Sequence, residues 1–283
     1  MTPKNALATA RTFLFVPGNR PERFEKAFQS GADAVVIDLE DSVPPAAKAS
    51  AREAIARARQ GLRKYPTPLV LRINSVDQMA GREDLGWLAQ LEAPDAVMVP
   101  KAESVGTLSL VAASAPAAEI LPLIESAVGY VALDSLAGAA NVLRLVVGHI
   151  DFMADTGLQC SEGEPELMPL RFAVAMATRV HKLAPAVDGV TVDIANEEVL
   201  RNDTRRALRL GFGGKLCIHP NQIAVVHEAM SPSAAEVEWA ERVLAADAAS
   251  GGAAVQLDGR MVDLPVVLQA RRTLARAGGR PAA

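Results

Sequence analysis

The chain has 283 residues, half of them hydrophobic, enough for one large core or two domains. Its 29 basic and 33 acidic residues leave a formal net charge of −4, with no basic stripe, which argues against nucleic acid as the main partner. No apolar run approaches the roughly 20 residues that cross a bilayer, and no apolar segment lies between Lys4 and Arg11 to serve as a secretory signal. The expectation is a cytoplasmic protein with no membrane partner, in which Cys160 and Cys217 are isolated buried thiols.

Short, nearly all-apolar runs recur at residues 12–16, 34–39, 69–73, 96–99, 119–124, 143–147, 189–192 and 215–218. They do not alternate polar with apolar, as expected of strands covered on both faces. Helical patterns lie between them. Pro21 opens one, Phe24 and Phe28 share its face, and Gly31 closes it. Others cover 46–60 before Gly61, 164–183 before Pro185, and 196–210 before Gly211. Eight strands alternating with helices predict an α/β fold, a (β/α)8 TIM barrel. An open doubly wound sheet is the alternative, but no Gly-x-Gly-x-x-Gly follows the first run.

The pattern changes after residue 230. Ser233-Ala234-Ala235-Glu236 is a capping box opening a helix to about 249. A Gly251-Gly252-Ala253-Ala254 linker, an extended piece at 255–265 and a last amphipathic helix follow. The expected division is a catalytic barrel at 1–230 and a C-terminal helical extension or lid at 231–283, packed on its own barrel or on a neighbouring subunit.

Barrel enzymes build their sites at the C-terminal ends of the strands. Asp38, Glu40 and Asp41 stand there after the second run, Arg72 and Asn74 after the third, and Lys101 after the fourth. Glu125 follows the fifth, His149 and Asp151 the sixth, Asp193 the seventh and His219 the eighth. Glu125 and Asp151 are one β/α unit apart, so their carboxylates could share a hard cation such as Mg2+, or each could cap a helix. Arg72 could pair with the acidic residues of the second run or bind a substrate oxygen. The histidines read as structural hydrogen-bonding groups or acid–base groups, Lys101 as a minor Schiff-base candidate, and the stretch from Gly211 to Lys215 as a turn on the opposite rim.

These residues fall in motifs that resemble the citrate lyase β-subunit-like proteins, within the broader group of citrate lyase and HpcH/HpaI-type aldolases. They include Phe13-Leu14-Phe15-Val16-Pro17-Gly18-Asn19, Val36-Ile37-Asp38-Leu39-Glu40-Asp41-Ser42, Arg72-Ile73-Asn74, Val99-Pro100-Lys101 and Leu123-Ile124-Glu125-Ser126. Gly211-Phe212-Gly213-Gly214-Lys215, Ile218-His219-Pro220-Asn221-Gln222 and Gly259-Arg260-Met261-Val262-Asp263-Leu264-Pro265 continue the match almost to the end. The resemblance implies a Mg2+-dependent carbon–carbon lyase cleaving a malyl-, citramalyl- or citryl-type thioester to a 2-oxo acid and an acyl thioester. Coenzyme A and an acyl-carrier protein both remain open as the thioester carrier.

By the same resemblance Glu125 and Asp151 would be the metal ligands, and Arg72 would contact the carbonyl or enolate oxygen. Asp38, Glu40 and Asp41 would support the metal's water or the substrate. Asp263 would be a catalytic acid reaching a neighbouring subunit of a homotrimer or hexamer. The sixth-strand motif of such proteins reads Gly-Gly-Glu-Asp or similar, whereas Ile150 stands here before Asp151, and the Asp-Gly pair expected after the seventh strand is missing at Asp193-Ile194-Ala195-Asn196. The alternatives are a pyruvate-type aldolase acting on free 2-oxo acids, a phosphoenolpyruvate-type mutase (for which no cysteine motif is present), an acyl-CoA thioesterase and a non-catalytic barrel subunit.

Overall fold

Eight short parallel strands close on themselves, each hydrogen-bonded to the next in sequence and the last to the first. They are β1 (Thr12–Pro17), β2 (Ala34–Asp38), β3 (Leu69–Arg72), β4 (Ala96–Val99), β5 (Glu119–Ile124), β6 (Val146–Val147), β7 (Val187–Asp188) and β8 (Gly214–Cys217). The computed structural model describes residues 2–278. These divide into two compact units, one up to Val226 and one from His227 on. Among the described residues no helix is long and apolar enough to cross a membrane.

Alternate strand residues fill the barrel. Phe13, Val36, Val70, Met98, Leu121, Leu123, Val146, Val187 and Leu216 form one buried cluster. Because strand side chains alternate with a period of two, their neighbours face the surrounding helices. The same parity, carried to or just beyond the C-terminal strand ends, brings Asp38, Arg72 and Glu125 to one mouth. It turns Asp188 and Lys215, paired in register on β7 and β8, outward. Arg144 closes the opposite end. Its guanidinium donates to the carbonyls of Leu7, Ala10 and Pro185 and lies 5.3 Å over the Phe13 ring.

Several sequence-based boundaries move, among them β6, expected at 143–147 and found at Val146–Val147, and the helix expected at 164–183, found at Met168–Val180. The helix expected at 46–60 is Lys48–Leu62, passing through Gly61, because Leu62 extends the buried stripe of Ile55 and Arg59. The seventh strand lies earlier than 189–192, at Val187–Asp188. An apolar-run reading passes over Asp188, whose charge is met from outside the barrel by Arg171, 3.0 Å away.

The second unit has its own core of Ala240, Val243, Val262, Val267 and Ala270. The Ser233–Glu236 capping box opens the helix Ala234–Ala249. The stretch expected as extended is a hairpin, β9 (Val255–Leu257) with β10 (Arg260–Val262), turning at Asp258 and Gly259, both at positive φ. Asp263 then caps the helix Leu264–Ala277.

Candidate active site

Arg72 closes β3 against a loop that folds back over it. Its Nε and one Nη donate to the two carboxylate oxygens of Asp38 at 2.6 and 2.8 Å, a bidentate fork. The other Nη lies 2.7 Å from Glu40, and Asp41 is 3.7 Å away. Beneath the guanidinium is the Phe15 ring, 4.9 Å from centroid to cation. Asp38 also accepts the backbone N–H groups of Glu40 and Ser42, which is what turns Glu40 toward Arg72. Burial raises the Asp38 pKa, but Arg72, Ser42 and the Glu40 N–H outweigh it and hold it below the carboxylate range. The ion-pair reading of Arg72 holds, and the same side chain lines a cavity.

Glu40 bridges to Lys101, whose Nζ is 3.2 Å away. Burial, then Asp41 and Asp38, raise the Glu40 pKa against the pull of Arg72 and Lys101. Lys101 sits just past β4 with φ +45°, a left-handed backbone uncommon outside glycine. That conformation accompanies a 2.7 Å hydrogen bond from its N–H to Glu125. Its ion pair with Glu40 makes it a charge partner rather than a Schiff-base amine.

Glu125 is 2% exposed, and burial with the nearby charges of Glu40 and Asp151 pushes its pKa up to about 8. A Cβ on Gly148 would lie 2.6 Å from its Oε2, so only glycine leaves room for the carboxylate. Asp151 is reached from β6 in the first turn of the helix His149–Thr156. Phe15, Asp38, Arg72, Glu125, Ile150 and Asp151 line one cavity of about 360 Å3. A larger cavity, about 670 Å3, lies beside it and shares His149, Ile150 and Val190 as wall.

The mouth holds Asp38, Glu40, Asp41, Glu125 and Asp151 against two cations, Arg72 and Lys101. Among the described residues no group of three His, Cys, Asp or Glu is placed to hold a metal by protein atoms alone. Glu125 and Asp151 fit a hard cation that takes its remaining oxygens from water and substrate. The excess negative charge and the raised Glu125 pKa are what such a cation would relieve.

Of the other sequence candidates, His149 lies in the cavity wall and the rest stand elsewhere. His149 is buried against Gly189 with Nε2 3.5 Å from Glu164. The His219 Nδ1 accepts the Asn221 N–H in a turn, and the Asp193 carboxylate caps Ala195 and Asn196 in an exposed loop. Asp263, in the second unit, accepts the Val266 N–H at 3.4 Å. Asn74 is a buried tie, its N–H and side-chain amide both bonded to Asp84. Sequence reasoning missed Asp84, Ser42 and Lys48. Lys48 bonds the Leu39 and Glu40 carbonyls and the Asn74 side chain, fixing the acidic loop. Gly148 carried a signal, a glycine directly before the sixth-strand acidic turn.

Comparison with known proteins places the chain in a family. The HpcH/HpaI aldolase/citrate lyase family matches residues 11–220. The chain is 32% identical over 273 residues to the (3S)-malyl-CoA thioesterase of Cereibacter sphaeroides, covering 94% of each protein. It is 30% identical over 290 residues to the mitochondrial citramalyl-CoA lyase of Homo sapiens, covering 94% of this chain and 85% of that one. The structure of CitE from Mycobacterium tuberculosis in complex with magnesium, acetoacetate and coenzyme A superposes with a TM-score of 0.82 at 36% identity, covering 96% of this chain and 99% of that one.

Proposed function

The chain belongs to the HpcH/HpaI aldolase/citrate lyase family, and we propose that it is a Mg2+-dependent carbon–carbon lyase. Its substrate is a 3-hydroxy-3-carboxyacyl thioester of coenzyme A, of malyl, citramalyl or citryl type, and its products are a 2-oxo acid and an acyl thioester. The observation that carries this reading is the excess of carboxylates beside Arg72 in one cavity. Whole-length similarity to enzymes of coenzyme A thioesters supports it.

Glu125 and Asp151 would hold the Mg2+. When bound, the ion supplies Lewis acidity toward the substrate's carboxylate and hydroxyl oxygens. Cleavage passes the hydroxyl proton to a base, turns C3 into the carbonyl of the 2-oxo acid, breaks the C2–C3 bond and leaves that electron pair on the thioester as an enolate. Arg72 stabilises that charge, and because Asp38 fixes its guanidinium, little reorganisation accompanies the reaction. The Phe15 ring backs the same cation. Lys101 holds Glu125 in place through its backbone N–H. Asp263, brought from a neighbouring subunit, returns a proton to the enolate carbon.

That last step requires a homo-oligomer, a trimer or a hexamer, in which segment 231–283 crosses between subunits. An apolar stripe on Met168–Val180 supports association, with Phe172, Met176 and Val180 exposed at successive i,i+4 spacings. The free thiols of Cys160 and Cys217 support a cytoplasmic location.

The test is to offer malyl-, citramalyl- and citryl-CoA with Mg2+ and measure free 2-oxo acid. Release of none sinks the lyase reading. Release of free coenzyme A without 2-oxo acid would point instead to a thioesterase, the activity of the Cereibacter relative. For Asp263, inactive Asp263→Ala and Arg72→Ala protomers are mixed and reassembled. Activity returns if sites are shared between subunits, and its absence counts against Asp263.

A further inference from the structure

Arg72 and its carboxylate partners come from two different strand ends, and one cation stitches those ends together behind them. Lys48 is the first residue of the helix Lys48–Leu62. A cation there faces the positive end of the helix dipole, so local helix energetics do not account for it. Its ammonium leaves the helix end instead. It donates to the Leu39 and Glu40 carbonyls, each at 3.0 Å, and to the side-chain oxygen of Asn74. An ammonium has three donors, and all three are used. Leu39 and Glu40 follow β2, and Asn74 lies two residues beyond Arg72 at the end of β3. Asn74 is itself held from behind. Its N–H and side-chain amide donate to one oxygen of Asp84 at 2.8 and 2.7 Å, and Arg52 donates to the other at 2.8 Å. Asp84 is fully buried in the helix Met79–Leu88. That helix sits directly on the Asn74–Ser75 turn, where a Cβ on Gly81 would lie 2.1 Å from the Ser75 carbonyl oxygen.

We propose that Lys48 is a positioning residue for the reaction: with Asn74 and Asp84 it clamps the acidic loop after β2 to the end of β3, and through Glu40 it sets the orientation in which Arg72 meets the developing negative charge. The inference rests on the lyase reading for its effect on turnover. Glu40 is the link. Asp38 accepts its N–H at 2.9 Å and Lys48 donates to its carbonyl, so both backbone groups of that residue are fixed. Its carboxylate then stands 2.7 Å from one Nη of Arg72, while Asp38 holds Nε and the other Nη. The guanidinium is restrained on every nitrogen only while the Glu40 loop is held. Lys48 bonds neither Glu125 nor Asp151, so the clamp acts on the arginine and not on the metal ligands.

Lys48→Met in the full-length protein keeps the length of the side chain and removes its donors. Hydrogen–deuterium exchange in chelator reads the clamp without turnover. The Glu40, Ser42 and Val43 amides are bonded to Asp38 and to the Glu40 carbonyl. In the variant they should lose at least about tenfold protection while β5 keeps its own. On the best thioester, kcat should fall about 30-fold to 100-fold, with KM and the calorimetric Kd for Mg2+ each moved less than about threefold, because misplacing Arg72 costs the transition state and not the ground state. Lys48→Arg carries the test should Lys48→Met fold poorly. It keeps the charge, but its planar fork cannot meet three acceptors at once, and it should still lose at least about tenfold in kcat. Unchanged protection, undiminished kcat, or a loss of Mg2+ affinity as large as the loss in rate would overturn the clamp. Lost protection in a protein whose parent cleaves no thioester leaves the clamp standing and removes the lyase reading. Cleavage by the parent, with full protection and full kcat in Lys48→Met, does the reverse.

Discussion

Two charge clusters occupy this barrel wall, and they differ in balance rather than in density. Around the mouth, Asp38, Glu40, Asp41, Glu125 and Asp151 face Arg72 and Lys101, with Lys48 on the backbone carbonyls of the acidic loop. Outside β7 and β8, Asp188, Glu164 and Asp203 face Arg171, Arg206 and Lys215, sign for sign. The second cluster is the more deeply buried, with Arg171 and Asp188 at 0% exposure. A buried network that neutralises itself needs nothing further, whereas one left negative calls for a cation from outside. Charge imbalance beside a cavity marks function more sharply than charge itself.

The sharpest way to break the comparison is to remove one member from each cluster. Asp188→Ala removes the fully buried carboxylate beside Lys215 and leaves Arg171 with Glu164 alone, and should cost ~3–5 kcal/mol in urea denaturation. A loss under ~1 kcal/mol would show that the outer network does not hold the wall. Asp151→Ala should do the opposite. It should lower kcat/KM on the best thioester about a thousandfold, ~4 kcal/mol of transition-state stabilisation, with unfolding in chelator shifted by less than ~0.5 kcal/mol. Undiminished turnover in that variant would remove Asp151 from the metal site.

Which cluster was legible in the sequence follows from distance along the chain. Asp38, Arg72 and Glu125 continue the inward parity of Val36, Val70 and Leu123, so a strand assignment alone brings them to one rim. Asp188 pairs with Arg171 across 17 residues and two element types, which no local pattern signals. Its charge also hid the true seventh strand. The helix that starts at His149 follows β6 after Gly148 alone, a break too short to read from residue types. The left-handed backbone of Lys101 has no signature in residue type. The Asp258-Gly259 turn did have one, since an Asp-Gly pair favours the positive φ that a tight hairpin needs.

Metal addition sharpens the contrast by a smaller margin. Mg2+ at about 100 times its Kd should stabilise the parent protein by ~2.7 kcal/mol in thermal or chemical unfolding. Asp188 variants, measured against their own lower baseline, should keep that increment, while Asp151→Ala should lose it. An equal increment in Asp151→Ala would place the ion elsewhere.

The smallest expected effect is the most specific to an imbalanced cluster. Glu125 has a pKa of about 8, against an ordinary 4.5, with burial first and then Glu40 and Asp151 as causes. A carboxyl whose folded pKa is raised favours the fold fully only below its unfolded value. That advantage is lost as pH rises from 4.5 to about 8, as the unfolded chain ionises ahead of the folded one. Glu125→Gln keeps an oxygen to accept the Lys101 N–H and removes the titration. In chelator the variant should match the parent near pH 4.5 and exceed its stability by ~1–2 kcal/mol near pH 8. With Mg2+ present the order should reverse, because the parent then gains the ion and the variant does not. A variant less stable than the parent in chelator at pH 8 would mean that Glu125 is already compensated by the protein, and the two clusters would no longer differ.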